Sequence, residues 1–363
     1  MHSNRYFAQT YAEARTKFVA AAEAKGLALE RHVHPRLRGV DGEPLSIDCA
    51  RLGAERPARL LVLSSGTHGV EGFCGSGAQC ALLDDDGFAA RAHAVGAAVL
   101  FVHAVNPWGF SHWMRANEDN VDLNRNFVDH AARRAPNARY AEVHHWLVSE
   151  TWPPAQASEQ AIAAYIAERG QFAFQEAVSG GQYEFPDGLF YGGERPSWSN
   201  RTVRGVLRGF GDSVRALRWI DFHTGLGPYG HGELIHSGRD DAADYARAVA
   251  AWGPEVKSIY SGTSVSARLE GILQFAAYEE LPQAEFAGIA IEYGTLPVMQ
   301  VLQALRAENW LRRNPQAPAA QRAQLRRELR DAFYCDAEDW KRRVLEQGRA
   351  AALAALVSLA AVA

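Results

Sequence analysis

Residues Ser64-Ser65-Gly66-Thr67-His68-Gly69-Val70-Glu71-Gly72 follow the apolar run Arg59-Leu60-Leu61-Val62-Leu63. The run reads as a fully buried strand. Small residues at its end let the backbone turn sharply. A histidine and a carboxylate then stand three positions apart. Open α/β folds keep their sites at the carboxyl ends of the strands. Histidine nitrogen and carboxylate oxygen both bind zinc, so His68 and Glu71 form a candidate half-site.

Other strand ends follow the same pattern. Residues 97–104 (Ala-Ala-Val-Leu-Phe-Val-His-Ala) form a second apolar run, ending at Asn106-Pro107-Trp108-Gly109-Phe110. Residues 75–84 between the two runs read as a helix. Strand, helix and strand in that order predict a βαβ unit with a parallel core. Residues 216–222 lead into His223-Thr224-Gly225, with 231–237 as a hairpin partner, and 286–293 deliver Glu292 near their end. Shorter strands are expected at 30–35, 45–52 and 255–261. Helices are expected at 6–25, 140–150, 159–177, 240–252 and through most of 297–363.

Polar groups that follow apolar strands can share one pocket. His68, Glu71 and His223 make a His2Glu set, which leaves a fourth zinc position for water. Glu292 is the carboxylate that can take a proton from that water. Arg115 and Arg125 can serve an oxyanion or a substrate carboxylate. The plain alternative for the arginines is an ion-pair network with Glu118, Asp119 and Asp122. Asp221 lies two residues before His223, on the same strand face, where it can orient the ring. His103, His112, His144, His145, His231 and His236 read as structural. Of these, His236 sits on a strand near the site. Trp108, Trp113 and Trp198 fit a pocket wall or ordinary packing.

Composition narrows the classes. The chain has 363 residues, 47% hydrophobic and 22% charged, with a formal net charge of −4. That is a globular composition with no basic footprint for nucleic acid. Cys49, Cys74, Cys80 and Cys335 are too scattered for a disulfide framework and read as reduced thiols. The first residues lack the order of a signal peptide. The apolar run 350–363 is shorter than the ~20 residues that span a bilayer, and reads as a core-packing helix. These features lead to the expectation of a cytoplasmic, soluble protein with no membrane partner, and they leave a homo-oligomer open. No repeat or low-complexity linker divides the chain. We therefore expect one domain over residues 1–363, with a helical and loop insertion at about 130–215 and C-terminal helices at about 297–363.

His68-Gly-Val-Glu71, Asn106-Pro107-Trp108-Gly109-Phe110, Arg115, Asn120-Val121-Asp122-Leu123-Asn124-Arg125-Asn126-Phe127, Asp221-Phe222-His223-Thr224 and Ile291-Glu292 together resemble the zinc carboxypeptidase family in order and approximate spacing. The resemblance covers roughly residues 45–300 outside the insertion. The Asp-Leu-Asn-Arg-Asn-Phe stretch is its most specific part. It implies an α/β fold with a mixed, mostly parallel central sheet of about eight strands flanked by helices. It implies one Zn2+ per chain on His68, Glu71 and His223. Asn124 and Arg125 are implied as the clamp for a substrate carboxylate, Arg115 as the group that polarises the scissile carbonyl, and Glu292 as general base and then acid. The chain also resembles the aspartoacylase and succinylglutamate desuccinylase group, so the implied substrate is a small peptide, an N-acyl amino acid or a cell-wall fragment. The family's mobile tyrosine has no matching motif; Tyr183, Tyr191, Tyr229 and Tyr260 all remain candidates. The Gly- and aromatic-rich loop 180–200 lies outside the pattern of the digestive members. An open groove at the metal would favour peptides, and a cup closed by that loop would favour acyl amino acids.

Overall fold

In a computed structural model, residues 3–132, 134–236 and 238–362 are described. Eight strands form one sheet: β1 (Ala28–Arg38), β2 (Pro44–Leu52), β3 (Arg59–Ser65), β4 (Ala97–His103), β5 (Ala216–Tyr229), β6 (Gly232–His236), β7 (Lys257–Ser258) and β8 (Glu285–Gly294). Their order is β1-β2-β4-β3-β5-β8-β6-β7. The central strands β4, β3, β5 and β8 run parallel, while β1, β2 and β6 pair antiparallel to their inner neighbours. The chain is thus a single α/β domain with a mixed, mostly parallel sheet.

Period-two alternation splits the sheet's apolar residues between two faces. Leu61, Leu63, Phe101, Ile220, Phe222, Ile289 and Ile291 belong to one core. Helices α1 (Tyr11–Ala24), α2 (Gly72–Asp84), α3 (Asp86–Ala94) and α4 (Pro107–His112) come before the long middle segment. The first three pack in that core. Leu60, Val62, Leu100, Leu217 and Trp219 belong to the opposite core. Helices α5 (Ala138–Leu147), α6 (Gln156–Arg169), α7 (Gln171–Ser179) and α8 (Trp198–Arg208) lie in the region expected to be inserted. They are followed by α9 (Ala242–Trp252), α10 (Ala276–Glu280), α11 (Val298–Arg313), α12 (Ala319–Phe333) and α13 (Glu338–Ala360). A third core joins α5, α6 and α7 to α11 and α12 through Val143, Leu147, Tyr165, Phe174, Val301, Leu305 and Phe333.

Two expectations are corrected. The strand expected over 231–237 is Gly232–His236, with Ser237 outside the described residues, and it is not the hairpin partner of β5. It pairs with β8, because β8 docks in parallel on β5 and occupies the edge that β6 would have needed. The single helix expected over 159–177 is two, broken at Gly170 with φ +88°. A left-handed residue stops a helix, and glycine adopts it without a Cβ clash. No helix among the described residues is long and apolar enough to cross a membrane.

Candidate metal centre and its cavity

The site sits where the strand order reverses, at the carboxyl ends of β3, β5 and β8, the expected place for a ligand in an open α/β sheet. His68 leaves β3 on a tight loop with Glu71 at the N-terminus of α2. Gly69 N donates to Arg115 O at 3.1 Å and Val70 N to Met114 O at 3.0 Å, fastening this loop to the next. A Cβ at position 69 would stand 2.1 Å from the Gly109 carbonyl carbon, so the close approach requires glycine. His223 and Glu292 are register partners on the adjacent parallel strands β5 and β8, which puts both side chains on one face.

His68, Glu71 and His223 are all buried, and their ligand atoms lie within 4.8 Å of one another, forming a candidate metal site. His68 Nδ1 is 2.8 Å from Glu71 Oε1, and His223 Nδ1 is 3.1 Å from Glu71 Oε2. The opposite nitrogens face other carboxylates: His68 Nε2 lies 3.0 Å from Asp122 Oδ1, and His223 Nε2 lies 2.6 Å from Asp221 Oδ2. Both imidazoles therefore turn Nδ1 toward Glu71 and Nε2 toward an orienting carboxylate. A metal on Nδ1 makes Nε2 the N–H donor, and a carboxylate is there to accept it. The donor set fits a divalent metal of the zinc type.

The orienting acids are themselves held. Asp221 accepts from Ser64 Oγ at 2.6 Å and from Thr67 Oγ1 at 3.0 Å. Asp122 accepts from Arg115 Nη1 at 2.7 Å and Asn124 N at 2.8 Å. Burial acts to raise the Asp122 carboxyl, but Arg115, Arg125 and His68 hold it well below the usual carboxylate range. Burial likewise acts on Glu71, but His68 and His223 draw it below its ordinary value. Glu292 goes the other way. Burial, reinforced by the Glu71 charge, pushes it up to about 7, although Leu226 N donates to its Oε1 at 2.9 Å. Gly225, with φ +135°, makes the turn into Leu226; a Cβ there would stand 3.0 Å from Phe333 Cε1.

Arg115 Nη2 stands 2.8 Å from His68 Nε2 and 3.3 Å from His68 Nδ1. Arg125 is buried, with Nη1 donating to Asn124 O at 2.9 Å and Nη2 to Ser179 O at 2.5 Å. Among the described residues its Nε has no partner. Asn124 Oδ1 accepts from Leu273 N at 2.8 Å. The two guanidinium carbons stand 4.7 and 5.6 Å from the ring centre of Phe190. Phe190 has φ +53°, a genuine outlier for a bulky side chain. Its loop is over-determined. The Gln182 side chain accepts from Glu184 N and Phe185 N and donates to Phe185 O and Leu189 O; Leu189 N donates to Tyr140 Oη, and Asn120 Nδ2 donates to Pro186 O and Gly188 O.

All seven residues singled out from the sequence line one cavity. Helix α7 contributes Phe174 and Val178 to its wall, α11 contributes Met299, Val301, Leu302 and Leu305, and the 180–200 loop contributes Phe190. None of Tyr183, Tyr191, Tyr229 or Tyr260 lines it, nor do Trp108, Trp113 and Trp198. The Tyr183 hydroxyl is occupied on Arg125 O at 2.6 Å and that of Tyr260 on Gly238 O at 2.7 Å. His236 packs against Tyr245 and Tyr260 and is outside the metal set. The sequence reading placed Asp122 only in an ion-pair network; its hold on His68 and the role of Phe190 escaped it. A signal for Asp122 was present in its position within the Asp-Leu-Asn-Arg stretch. Phe190 had none, since a positive φ at phenylalanine has no sequence signature.

The chain is similar to solved structures of a metallo-carboxypeptidase from Burkholderia cenocepacia (13% identity, 99% of this chain and 72% of that one, TM-score 0.47) and carboxypeptidase A from Helicoverpa armigera (13%, 89% and 74%, TM-score 0.40). It is also similar to the succinylglutamate desuccinylase from Chromobacterium violaceum (14%, 83% and 74%, TM-score 0.36). Among curated proteins no relative matches. The model of a family described as a protein of unknown function, DUF2817, matches residues 7–347, and the chain belongs to that family.

Proposed function

We propose that the protein is a zinc-dependent hydrolase that cleaves an amide bond beside a free carboxylate. The observation that carries this reading is the pair of carboxylate-oriented imidazoles that turn Nδ1 toward Glu71, with Glu292 in register beside His223. His68, Glu71 and His223 would hold the ion. Zinc in such a set supplies Lewis-acid polarisation of a carbonyl and a water with a pKa near 7. Glu292, pushed up to about 7, is matched to take a proton from the attacking water and return it to the leaving nitrogen. The carbonyl carbon gains the water oxygen, the C–N bond breaks, and an acid and an amine leave. Arg115 donates to the carbonyl oxygen as negative charge develops on it. Asn124 and Arg125, both in the cavity lining, receive the substrate carboxylate.

Enclosure favours a short substrate. His68, Glu71, His223, Asn124 and Arg125 are all buried, and α7, α11 and the Phe190 loop wall the cavity. An N-acyl amino acid or a dipeptide fits this setting better than the tail of a folded protein.

Metal analysis and a hydrolysis assay test the reading. Purified protein should hold about one zinc per chain, lose activity to a chelator and regain it with zinc. Glu292→Gln should lower turnover by roughly 10²–10⁴-fold with zinc still bound. A protein that takes up no metal, or a Glu292→Gln variant with full activity, defeats the assignment; carboxylate binding without any turnover would mark a binding protein instead.

A further inference from the structure

The catalytic cavity is charged at one end only. Its charged lining consists of His68, Glu71, Arg115, Arg125, His223 and Glu292, and all six are already engaged in the proposed reaction. Among the described residues no lysine and no third arginine line it. Arg115 is also tied to Asp122 at 2.7 Å, so the cavity offers cationic recognition to one substrate carboxylate and not to two. Gln171, Gln175, Ser179, Thr224 and Ser266 also line it, and the last four donate to backbone carbonyls. Most of the remaining wall is apolar and comes from two separate cores. One contributes Ile235, Ile259 and Leu269. The other, which joins α5, α6 and α7 to α11 and α12, contributes Phe174, Val178, Met299, Val301, Leu302 and Leu305. Beyond the carboxylate clamp and the reacting groups, the cavity is lined mainly by hydrocarbon.

We propose that the wall built by α7 and α11 receives an extended apolar acyl group, so that the substrates are N-acyl amino acids carrying a medium-chain or aryl acyl group, and not acids acylated with a second carboxylate such as succinyl. This rests on the hydrolase reading for the amide and on the cavity lining alone for the acyl group. Burying a second carboxylate against Val301, Leu302 and Phe174 would leave a charge without a partner, which is strongly unfavourable. Burying methylenes there is favourable and additive. The carboxylic acid released is then a fatty or aromatic acid, and the amine is a free amino acid.

The test holds the amine constant. N-acetyl-, N-butanoyl-, N-octanoyl- and N-succinyl-leucine are compared as substrates of the zinc-loaded enzyme. Their binding to Glu292→Gln protein is measured by calorimetry. We expect kcat/KM and affinity to rise about fourfold per methylene from butanoyl to octanoyl, and succinyl to fall at least about a hundredfold below octanoyl. Met299→Lys, at a half-buried wall position where a lysine can reach solvent, should lower the octanoyl preference and raise succinyl, while Met299→Leu should keep the parent order. Equal or better use of succinyl or butanoyl by the parent enzyme overturns the inference and leaves the hydrolase reading standing. Chain-length-dependent binding without turnover of any compound overturns the hydrolase reading and supports the apolar acyl pocket. Should Met299→Lys fail to fold, the parent series and Met299→Leu still decide.

Discussion

The two halves of the site are built differently. His68, Glu71, His223 and Glu292 stand on the ends of adjacent strands or in a loop clamped to them, with each imidazole fixed by its own buried acid. Arg125, Phe190, Phe174 and Val178 stand on helix and loop outside the sheet, held by hydrogen bonds to backbone carbonyls and by side-chain packing. On the proposed reading, the sheet half carries the groups whose chemistry demands fixed geometry, and the helical half the groups that meet the substrate. Rigid elements place reacting groups more accurately than loops, while loops accept change at lower cost.

Perturbing each half should have effects that differ in kind. The largest concerns the sheet platform itself. His103 at the end of β4 is buried, stacked on Phe18 at 4.4 Å and pushed down to about 4 by burial. A histidine with a depressed native pKa contributes stability that is present above its unfolded value of ~6.5 and is lost as pH falls from there toward 4, worth about 3 kcal/mol. Urea unfolding at pH 7 and pH 4 should show this loss, and His103→Gln should remove most of it; an unchanged pH slope in the variant would detach His103 from platform stability. Next, Asp122→Asn keeps the shape but weakens the acceptor for His68 Nε2, so zinc affinity should fall about 10–100-fold in chelator competition. Undiminished affinity would mean that the metal half does not depend on its orienting acid.

The helical half should respond in substrate binding and leave the metal alone. Arg125→Lys replaces a planar fork by a point charge, and KM for carboxylate substrates should rise about tenfold while KM for the matching amides stays level. An equal rise for both would remove Arg125 from the clamp. Phe190→Leu strips the ring beneath both arginines, worth about 1 kcal/mol, so KM should rise about fivefold with zinc content unchanged and Phe190→Tyr should restore it. Loss of zinc in Phe190→Leu would blur the division between the halves.

Much of the sheet half was legible in the chain. The runs 60–63, 97–102 and 286–291 are apolar without interruption, as strands buried on both faces must be, and the first and third lead into polar groups found at the site. His68, Glu71, His223, Glu292, Arg115, Asn124 and Arg125 were all named from it, and all meet in one cavity. The helical half was not legible. Gln171–Ser179 shows ordinary helical spacing, which says that Phe174 and Val178 are covered but not by what. Likewise, nothing local says that β8 docks on β5 and so takes the edge from β6.

The amino-acid sequence by itself determined the elements and the chemical types at their ends, because apolar periodicity and short polar motifs act within a few residues. Only the tertiary structure decided that His223 meets Glu71 across 152 residues, that Asp122 holds the ring of His68, and that α7 and α11 wall one cavity. Those outcomes depend on strand order and on which faces pack together. Such contacts join residues far apart in the chain, and no local pattern encodes the partner.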